Sequence, residues 1–483
     1  MSLSIRRRRW RVRIASGAIV AALVPLVGAV HSPADAQATA TATINGTTTY
    51  QQINGFGASE GFFQAEFLMN ARHATQNKAL KLLYSTKSGA GLTILRNMIG
   101  STSAYGSIEP TAPSSTSAPP AYRALGNDLG QEWLASTIQH KYGVNQFFAD
   151  AWSPPPFMKT NDSDLNGGTL CGVPGATCAS GDWRQAYANY LVQYAKDYAD
   201  DGLKLQYVGF ENEANFAPSI YSGMILTPDQ TANFADVLGP TLVGSGLSTQ
   251  LECCAAEGWD YAAQYASAIE GDPVASSYVK LFTSHGYTAP PASPLPGWSN
   301  PVWETEWSTF DKWDPAWDDG TDASGLTWAQ NIYTGLTTAN LSAFLYWWGS
   351  STPAIVGDNE SLIQINGSTV TASGRLWAFA NYSRFVRPGA VRIAATTSDS
   401  DLDLTAFKNT NGSVAVVALN TATSPVSASF SLAGTGIPNG AKVTPYLTDA
   451  SKDTAKQKKV KVAGGEFSAT LPARSLVTYE IPA

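Results

Sequence analysis

Residues 184–215 read RQAYANYLVQYAKDYADDGLKLQYVGFENEAN, and two hydrophobic periods follow one another inside them. Tyr187, Tyr190, Leu191, Tyr194, Ala195 and Tyr198 recur at spacings of three and four, which puts them on one face of a helix over 184–201. Asp182 is placed to cap its start and Gly202 to end it. The next segment, 204–210 (KLQYVGF), is a short apolar run of strand length. A helix that feeds directly into a buried strand is the repeating unit of α/β folds.

Seven further runs resemble that strand: 53–57 (INGFG), 92–98 (LTILRNM), 144–151 (VNQFFADA), 248–254 (STQLECC), 279–284 (VKLFTS), 300–305 (NPVWET) and 341–348 (LSAFLYWW). Eight strands alternating with helices predict an α/β fold of the (β/α)8 barrel type over 53–384, with functional groups at the C-terminal ends of the strands. From 385 to 483 the pattern changes to period two, as in 413–419 (SVAVVAL) and 426–432 (VSASFSL), punctuated by Gly, Asn and Pro. That stretch predicts a small antiparallel β-sandwich, and the strand-like residues 37–52 are expected to join it. The Pro/Ser/Thr-rich stretch 109–120 (EPTAPSSTSAPP) falls between the second and third barrel strands and reads as a long rim loop.

The N-terminus has the three-part order of a secretory leader. Six arginines lie within 6–13, residues 14–30 are apolar, and Ala34-Asp35-Ala36 offers a cleavage site, so residues 1–36 are expected to be removed and the chain exported. Taking away six arginines and Asp35 moves the formal net charge from −7 to −12. Only 14% of residues are charged, against roughly 25% in an ordinary globular protein. With the basic residues gathered in the leader and no evident patch on the body, nucleic acid is not an expected partner. No later run approaches the length of a membrane span, and a monomer is expected.

Four cysteines in an exported chain suggest two disulfides. Cys171 and Cys178 bracket a Gly/Pro-rich loop, CGVPGATC, and are expected to bridge. Cys253 and Cys254 are adjacent, which leaves a vicinal disulfide and two buried thiols as equal alternatives. No Cys/His cluster has metal-ligand spacing, so no metal and no cofactor are expected.

The chemistry sits near two strand ends. Glu213 lies just past the fourth strand, preceded by Asn212, and Glu306 just past the seventh. Two carboxylates on one face of a barrel suit proton donation and nucleophilic attack at a glycosidic bond. Trp303, Trp307, Trp313, Trp317, Trp328, Trp347 and Trp348 crowd the seventh and eighth units, and aromatic faces stack on sugars. Core packing is the competing role for Trp328 and Trp347, whereas Trp313 and Trp317 lie in an Asp-rich loop that is harder to bury.

The segments GFGASE (55–60), LRNMIGS (95–101), AWSPPPFMKTN (151–161), NEAN (212–215), SHGY (284–287), WETEWS (303–308) and LPARSLVTYEI (471–481) resemble glycoside hydrolase family 30. The likeness is strongest to its fungal-type glucuronoxylanase and xylanase branch, which shares the block at 171–187 and the adjacent cysteines. It implies a barrel with a side-associated β-sandwich, and retaining, internal cleavage of a β-linked polysaccharide such as β-1,4-xylan, or of a β-1,6-galactan or glucan. By the same resemblance Glu213 is the acid/base and Glu306 the nucleophile, with Glu304 the competing glutamate on the same face of the strand. Asn212 would bond the sugar 2-hydroxyl, and Arg96, His285 and Tyr287 would position the nucleophile. Trp152 and Trp348 would wall the subsite at the cleavage point, and Glu60 and Gln64 would touch substrate. The resemblance departs at two places. Ala214 follows Glu213 where proline is common, and Gln64 replaces the arginine that binds glucuronate, which weakens dependence on that branch.

Two other classes compete. Gly57-Ala58-Ser59-Glu60-Gly61 matches G-x-S-x-G of serine esterases, but a nucleophile elbow follows several strands and Ser59 follows almost none. A carbohydrate-binding protein without catalysis would use the aromatic surface alone.

Overall fold

The structure, a computed structural model, describes residues 40–126, 128–355 and 357–483. The leader expected at 1–36 lies outside the described residues. Eight parallel strands form the barrel: β1 (Gly55–Ser59), β2 (Ile94–Ile99), β3 (Gln146–Ala151), β4 (Leu205–Gly209), β5 (Gln250–Ala256), β6 (Val279–His285), β7 (Val302–Glu306) and β8 (Ala343–Ser351). Each pairs with the next, and β8 pairs with both β7 and β1, which closes the ring. Closure buries both faces of every strand, which is why these segments read as continuous apolar runs rather than alternating ones. Gly57 lets β1 approach β2 closely, since a Cβ there would collide with the carbonyl of Ile94.

The barrel interior is filled by Ile94, Phe148, Leu281, Trp303, Ala343 and Leu345. The helices lie outside. Helix Arg184–Asp200 turns the expected face inward, burying Tyr187, Tyr190, Leu191, Tyr194, Ala195 and Tyr198. Two of its phenols find buried acceptors: Tyr187 donates to the Phe210 carbonyl at 2.8 Å and Tyr198 to Asp128 at 2.7 Å. Gly202 ends the segment in the left-handed region (φ 76°). Residues 109–120 lie in the irregular connection from β2 to helix Gln131–Tyr142, at the C-terminal rim of the strands.

Strand Ala40–Gln52 pairs antiparallel with Val391–Thr397 and parallel with Val426–Ala433, so the start of the described chain belongs to the second sheet. That sheet encloses its own apolar core, which includes Ile44, Val416, Phe430, Leu432, Phe467 and Tyr479. It is tied to the barrel by buried polar contacts. Thr478 donates to the Asn381 carbonyl at 2.6 Å, and Trp317 donates to the Arg474 carbonyl at 2.8 Å. Trp317 is therefore buried between the barrel and the second sheet, not exposed in a polar loop as its neighbours suggest. Cys171 and Cys178 are bridged, and so are Cys253 and Cys254 to each other. No helix among the described residues is long and apolar enough to cross a membrane.

Candidate active site

Arg96 is the third residue of β2, fully buried, and fans its guanidinium to β3, to β7 and to the segment after β4. Its Nε donates to Asp150 Oδ2 on β3 at 2.8 Å, its Nη1 to Glu306 Oε2, and its Nη2 to Asn212 Oδ1 at 2.6 Å. The rigid fork of donors fixes all three partners at once. Trp152 covers the guanidinium, with its ring centroid 4.5 Å away. Burial pulls the arginine pKa down, but Asp150 and Glu306 outweigh it and raise the value, so the group stays charged. Beneath it Glu252 accepts from Thr283 at 2.8 Å, and burial together with Asp150 raises its pKa well above the ordinary value. Both Glu252 and Asp150 cross β4 at Gly209, where any Cβ would collide with their carboxyl oxygens.

Glu306 is the last residue of β7 rather than a loop residue beyond it. Arg96 donates to one of its oxygens and Tyr287 Oη to the other, at 3.0 Å. Glu304, expected on the same face, has different partners. In the pairing with β6, Ser284 faces Glu304 and His285 faces Glu306, so Thr305 is an extra residue that breaks the period of two. Glu304 consequently accepts from Trp259 Nε1 at 2.7 Å, and burial raises its pKa well above the ordinary range.

Glu213 follows β4 in the left-handed backbone region (φ 50°), where its backbone N–H donates a hydrogen bond to the Ala255 carbonyl at 2.7 Å. A non-glycine residue there marks local strain of the kind that clusters at functional sites. Tyr221 donates to its Oε2 at 3.2 Å, and His285 Nδ1 lies 3.0 Å from its Oε1. Burial pushes the Glu213 pKa up to about 7, opposed by the Tyr221 hydrogen bond and by the charge on Arg96. Desolvation is what raises it. Burial pushes His285 down to about 4, so the imidazole is neutral at neutral pH, and its Nε2 lies 3.7 Å from Glu306. Burial also raises Glu306, opposed by His285 and Arg96; with His285 neutral, Arg96 is the cation beside it. Glu213, His285 and Glu306 each bring one donor atom within 4.8 Å of the others. That set could also receive a cation, although Arg96 already supplies the positive charge at Glu306.

Trp152 and Trp348 come together with Met98 and Trp347 in a buried cluster, rimmed by Phe62, Tyr105 and Tyr221. Trp347, which the sequence left between core and site, is part of this wall and stacks on Trp348 with centroids 4.8 Å apart. Phe310 is 63% exposed and stacks on Tyr287 at 5.5 Å. Trp303 is not part of the wall. It fills the barrel interior against Phe148 and Tyr207.

Two residues expected to touch substrate are turned to other partners. Glu60 is buried behind β8, accepting from Ser350 at 2.9 Å, with a pKa raised well above the ordinary range by burial. Gln64 is fully buried at the start of its helix and donates to the Phe62 carbonyl at 3.3 Å. The backbone turn between them carries Phe62, not the polar side chains, toward the wall. Glu211, next but one to Glu213, accepts from Thr231 at 2.8 Å on the helix that follows. Ser59 is fully buried and receives only the Gly61 amide, with no histidine beside it in an esterase arrangement. Asp150, Glu252 and Tyr221 escaped the sequence reading. Asp150 and Glu252 lie within β3 and β5, and their alignment with Arg96 depends on barrel closure.

The pattern of the O-glycosyl hydrolase family 30 matches residues 39–289, and that of the glycosyl hydrolase family 30 beta sandwich domain matches residues 389–479. The catalytic domain of GH30 xylanase C from Talaromyces cellulolyticus superposes with a TM-score of 0.85 at 44% identity, covering 92% of this chain and 100% of that one. Glucuronoxylanase XynC of Bacillus subtilis is 25% identical over 364 residues, 72% of this chain and 76% of its own. Endo-1,6-beta-D-glucanase neg1 of Aspergillus fumigatus is 24% identical over 470 residues, 89% of this chain and 85% of its own. With a closed eight-stranded barrel, a second β-sheet domain and both patterns in place, the chain belongs to glycoside hydrolase family 30.

Proposed function

We propose that this glycoside hydrolase cleaves β-1,4-xylan internally and with retention of configuration, using Glu213 as acid/base and Glu306 as nucleophile. The observation that carries this reading is the carboxylate pair: an oxygen of Glu213 lies within 4.8 Å of one of Glu306. Retaining enzymes hold their carboxyls about 5 to 5.5 Å apart, whereas inverting ones leave roughly 6.5 to 9.5 Å for a water.

The two environments divide the labour. Glu306, paired with Arg96 and Tyr287, is ionised and attacks the anomeric carbon. Glu213, whose pKa is pushed up to about 7, carries the proton that the leaving oxygen needs. When Glu213 is protonated it donates to His285 Nδ1, and the neutral imidazole then turns Nε2–H toward Glu306. After the leaving sugar departs, ionised Glu213 takes a proton from water, which attacks the glycosyl-enzyme. Asn212, its amide oxygen held by Arg96, keeps its amide nitrogen free to donate to the sugar 2-hydroxyl, a bond that strengthens as the oxocarbenium ion forms.

Xylan is favoured over other β-linked polymers by the 44% identity to the Talaromyces xylanase. Because Gln64 is buried and uncharged, it offers no ion pair to a glucuronate branch. Cleavage of β-1,6-glucan is the second reading, supported by the likeness to the Aspergillus enzyme along most of the chain. The enzyme is read as exported and monomeric. The test is hydrolysis of glucuronoxylan, arabinoxylan, β-1,6-galactan and β-1,6-glucan, with NMR of the first product. Release of β-configured xylo-oligosaccharides by the wild type, and loss of activity in Glu213→Gln and Glu306→Gln, are expected. A first product of α configuration, or turnover of β-1,6-glucan alone, would overturn the reading.

A further inference from the structure

The second domain carries a charge reversal that the chain-wide count conceals. Lys442, Lys452, Lys456, Lys458, Lys459 and Lys461 fall within residues 442–461, against only Asp449 and Asp453. A body with an acidic balance therefore carries a lysine-rich surface around one sheet edge, with Lys458 at one cavity and Lys442 and Lys459 beside Glu480 at another, which corrects the expectation that no basic patch exists outside the leader. All of these lysines except Lys452 are exposed. Lys452 alone has a carboxylate partner, Asp449 at 3.5 Å.

The placement of the lysines is more informative than their number. Lys442 and Lys461 stand directly opposite one another on paired strands, an arrangement that like charges destabilise. Strand Lys452–Lys456 is the outer edge of its sheet. Beside it a surface cavity of about 650 Å³ is lined by Gln457 and Lys458 together with Pro445, Leu447, Val460 and Pro472. Lysine alone would serve to guard a sheet edge against pairing, but a guard needs charge of either sign and no like-charged pair across strands. A surface in which lysines outnumber acids, Glu480 lying beside Lys442 and Lys459, with a mixed apolar and polar cavity at its side, fits a polymer that brings its own spaced negative charges.

We propose that this face is a docking surface for a polysaccharide bearing uronic acid carboxylates, separate from the cleft that cuts the chain. Lysine ammonium groups act as point charges on flexible stems, suited to carboxylates distributed along a polymer rather than to one fixed anion. The surface would hold an acidic branch of a cell-wall polymer against the sandwich while a neutral stretch enters the barrel, and so would offset the repulsion between that polymer and the acidic body. The choice of a polysaccharide over other polyanions rests on the function proposed for the barrel.

The test uses the full chain and affinity electrophoresis in gels containing polygalacturonate, glucuronoxylan or unsubstituted xylan. Wild-type protein should be retarded by both acidic polymers and released as salt is added. The variant K456E/K458E/K459E, which keeps a charged edge and leaves the Lys442–Lys461 pair as it is, should lose retardation at least fivefold. The corresponding Lys→Arg variant should keep it. Turnover of short neutral xylo-oligosaccharides and the melting temperature should not change in either, which separates failure of this proposal from failure of the catalytic reading. Equal retardation of wild type and Glu variant, equal retardation by unsubstituted xylan, or capture by nucleic acid or anionic vesicles in place of polygalacturonate would overturn the proposal.

Discussion

Arg96 donates through Nη1 to Oε2 of Glu306, and neither side chain is more than 6% exposed. The same guanidinium neutralises Asp150 at 2.8 Å, so one buried cation balances two carboxylates. Replacing Arg96 with Ala strands both charges in the barrel, at a cost of about 3 to 5 kcal/mol. Arg96→Lys keeps the charge but cannot reach Asp150, Glu306 and Asn212 with one fork. It should melt near the wild type yet lose about 100-fold in kcat through misplacement of Glu306. Thermal melts and kcat on xylan decide this, and an Arg96→Ala variant as stable as the wild type would contradict it.

Glu213 is the group that must hold a proton before the first step, and burial places its pKa at about 7. The basic limb of kcat/KM should therefore fall above about pH 7. Tyr221 donates to the carboxylate and so favours its ionised form. Tyr221→Phe removes that preference and should move the basic limb to higher pH. A pH–rate profile shifted downward in this variant would show that the phenol acts otherwise.

Parts of this site were legible before any coordinates because they depend on local sequence. The helix over 184–200 and strand β4 follow from a change of period within thirty residues, and Glu213 is reached by counting on from that strand. The separation of Glu304 from Glu306 was not legible. It depends on one extra residue, Thr305, in the pairing of β7 with β6, and the sequence of β7 alone shows unbroken alternation. Asp150 and Glu252 were hidden for a related reason. They meet over Gly209 only because three strands close side by side, and nothing in any one strand records the other two. Trp303 and Trp317 show the limit of composition. Both are tryptophans near a carboxylate motif, and one fills the barrel while the other joins two domains.

Glu60, Glu211 and Glu304 are buried with pKa values well above the ordinary 4.5, in each case because burial disfavours the charge. In the unfolded chain they ionise near 4.5, so at higher pH the unfolded state has released protons that the folded state retains. Stability from these groups is thus complete below that value and declines as pH rises above it. The melting temperature should fall between pH 5 and pH 8. Glu211→Gln preserves the bond from Thr231 and removes one titrating group, so its melting temperature should fall less over that range. A slope as steep as that of the wild type would exclude Glu211 as a contributor.

Two aromatic residues near Glu306 allow packing and binding to be told apart. Trp303 fills the barrel between Phe148 and Tyr207 and donates to Asn54 at 2.8 Å. Trp303→Ala should cost about 3 to 5 kcal/mol by leaving a cavity, and it should lower the melting temperature sharply. Phe310 is 63% exposed and stacks on Tyr287, which itself bonds Glu306. Phe310→Ala removes little buried surface, so its melting temperature should stay within a degree or two of the wild type. If its ring is a platform for a sugar beside the nucleophile, the loss is about 1 kcal/mol, or roughly fivefold in KM for the polymer. A variant with unchanged KM but lowered kcat would instead mean that Phe310 acts through Tyr287, by holding the phenol on Glu306.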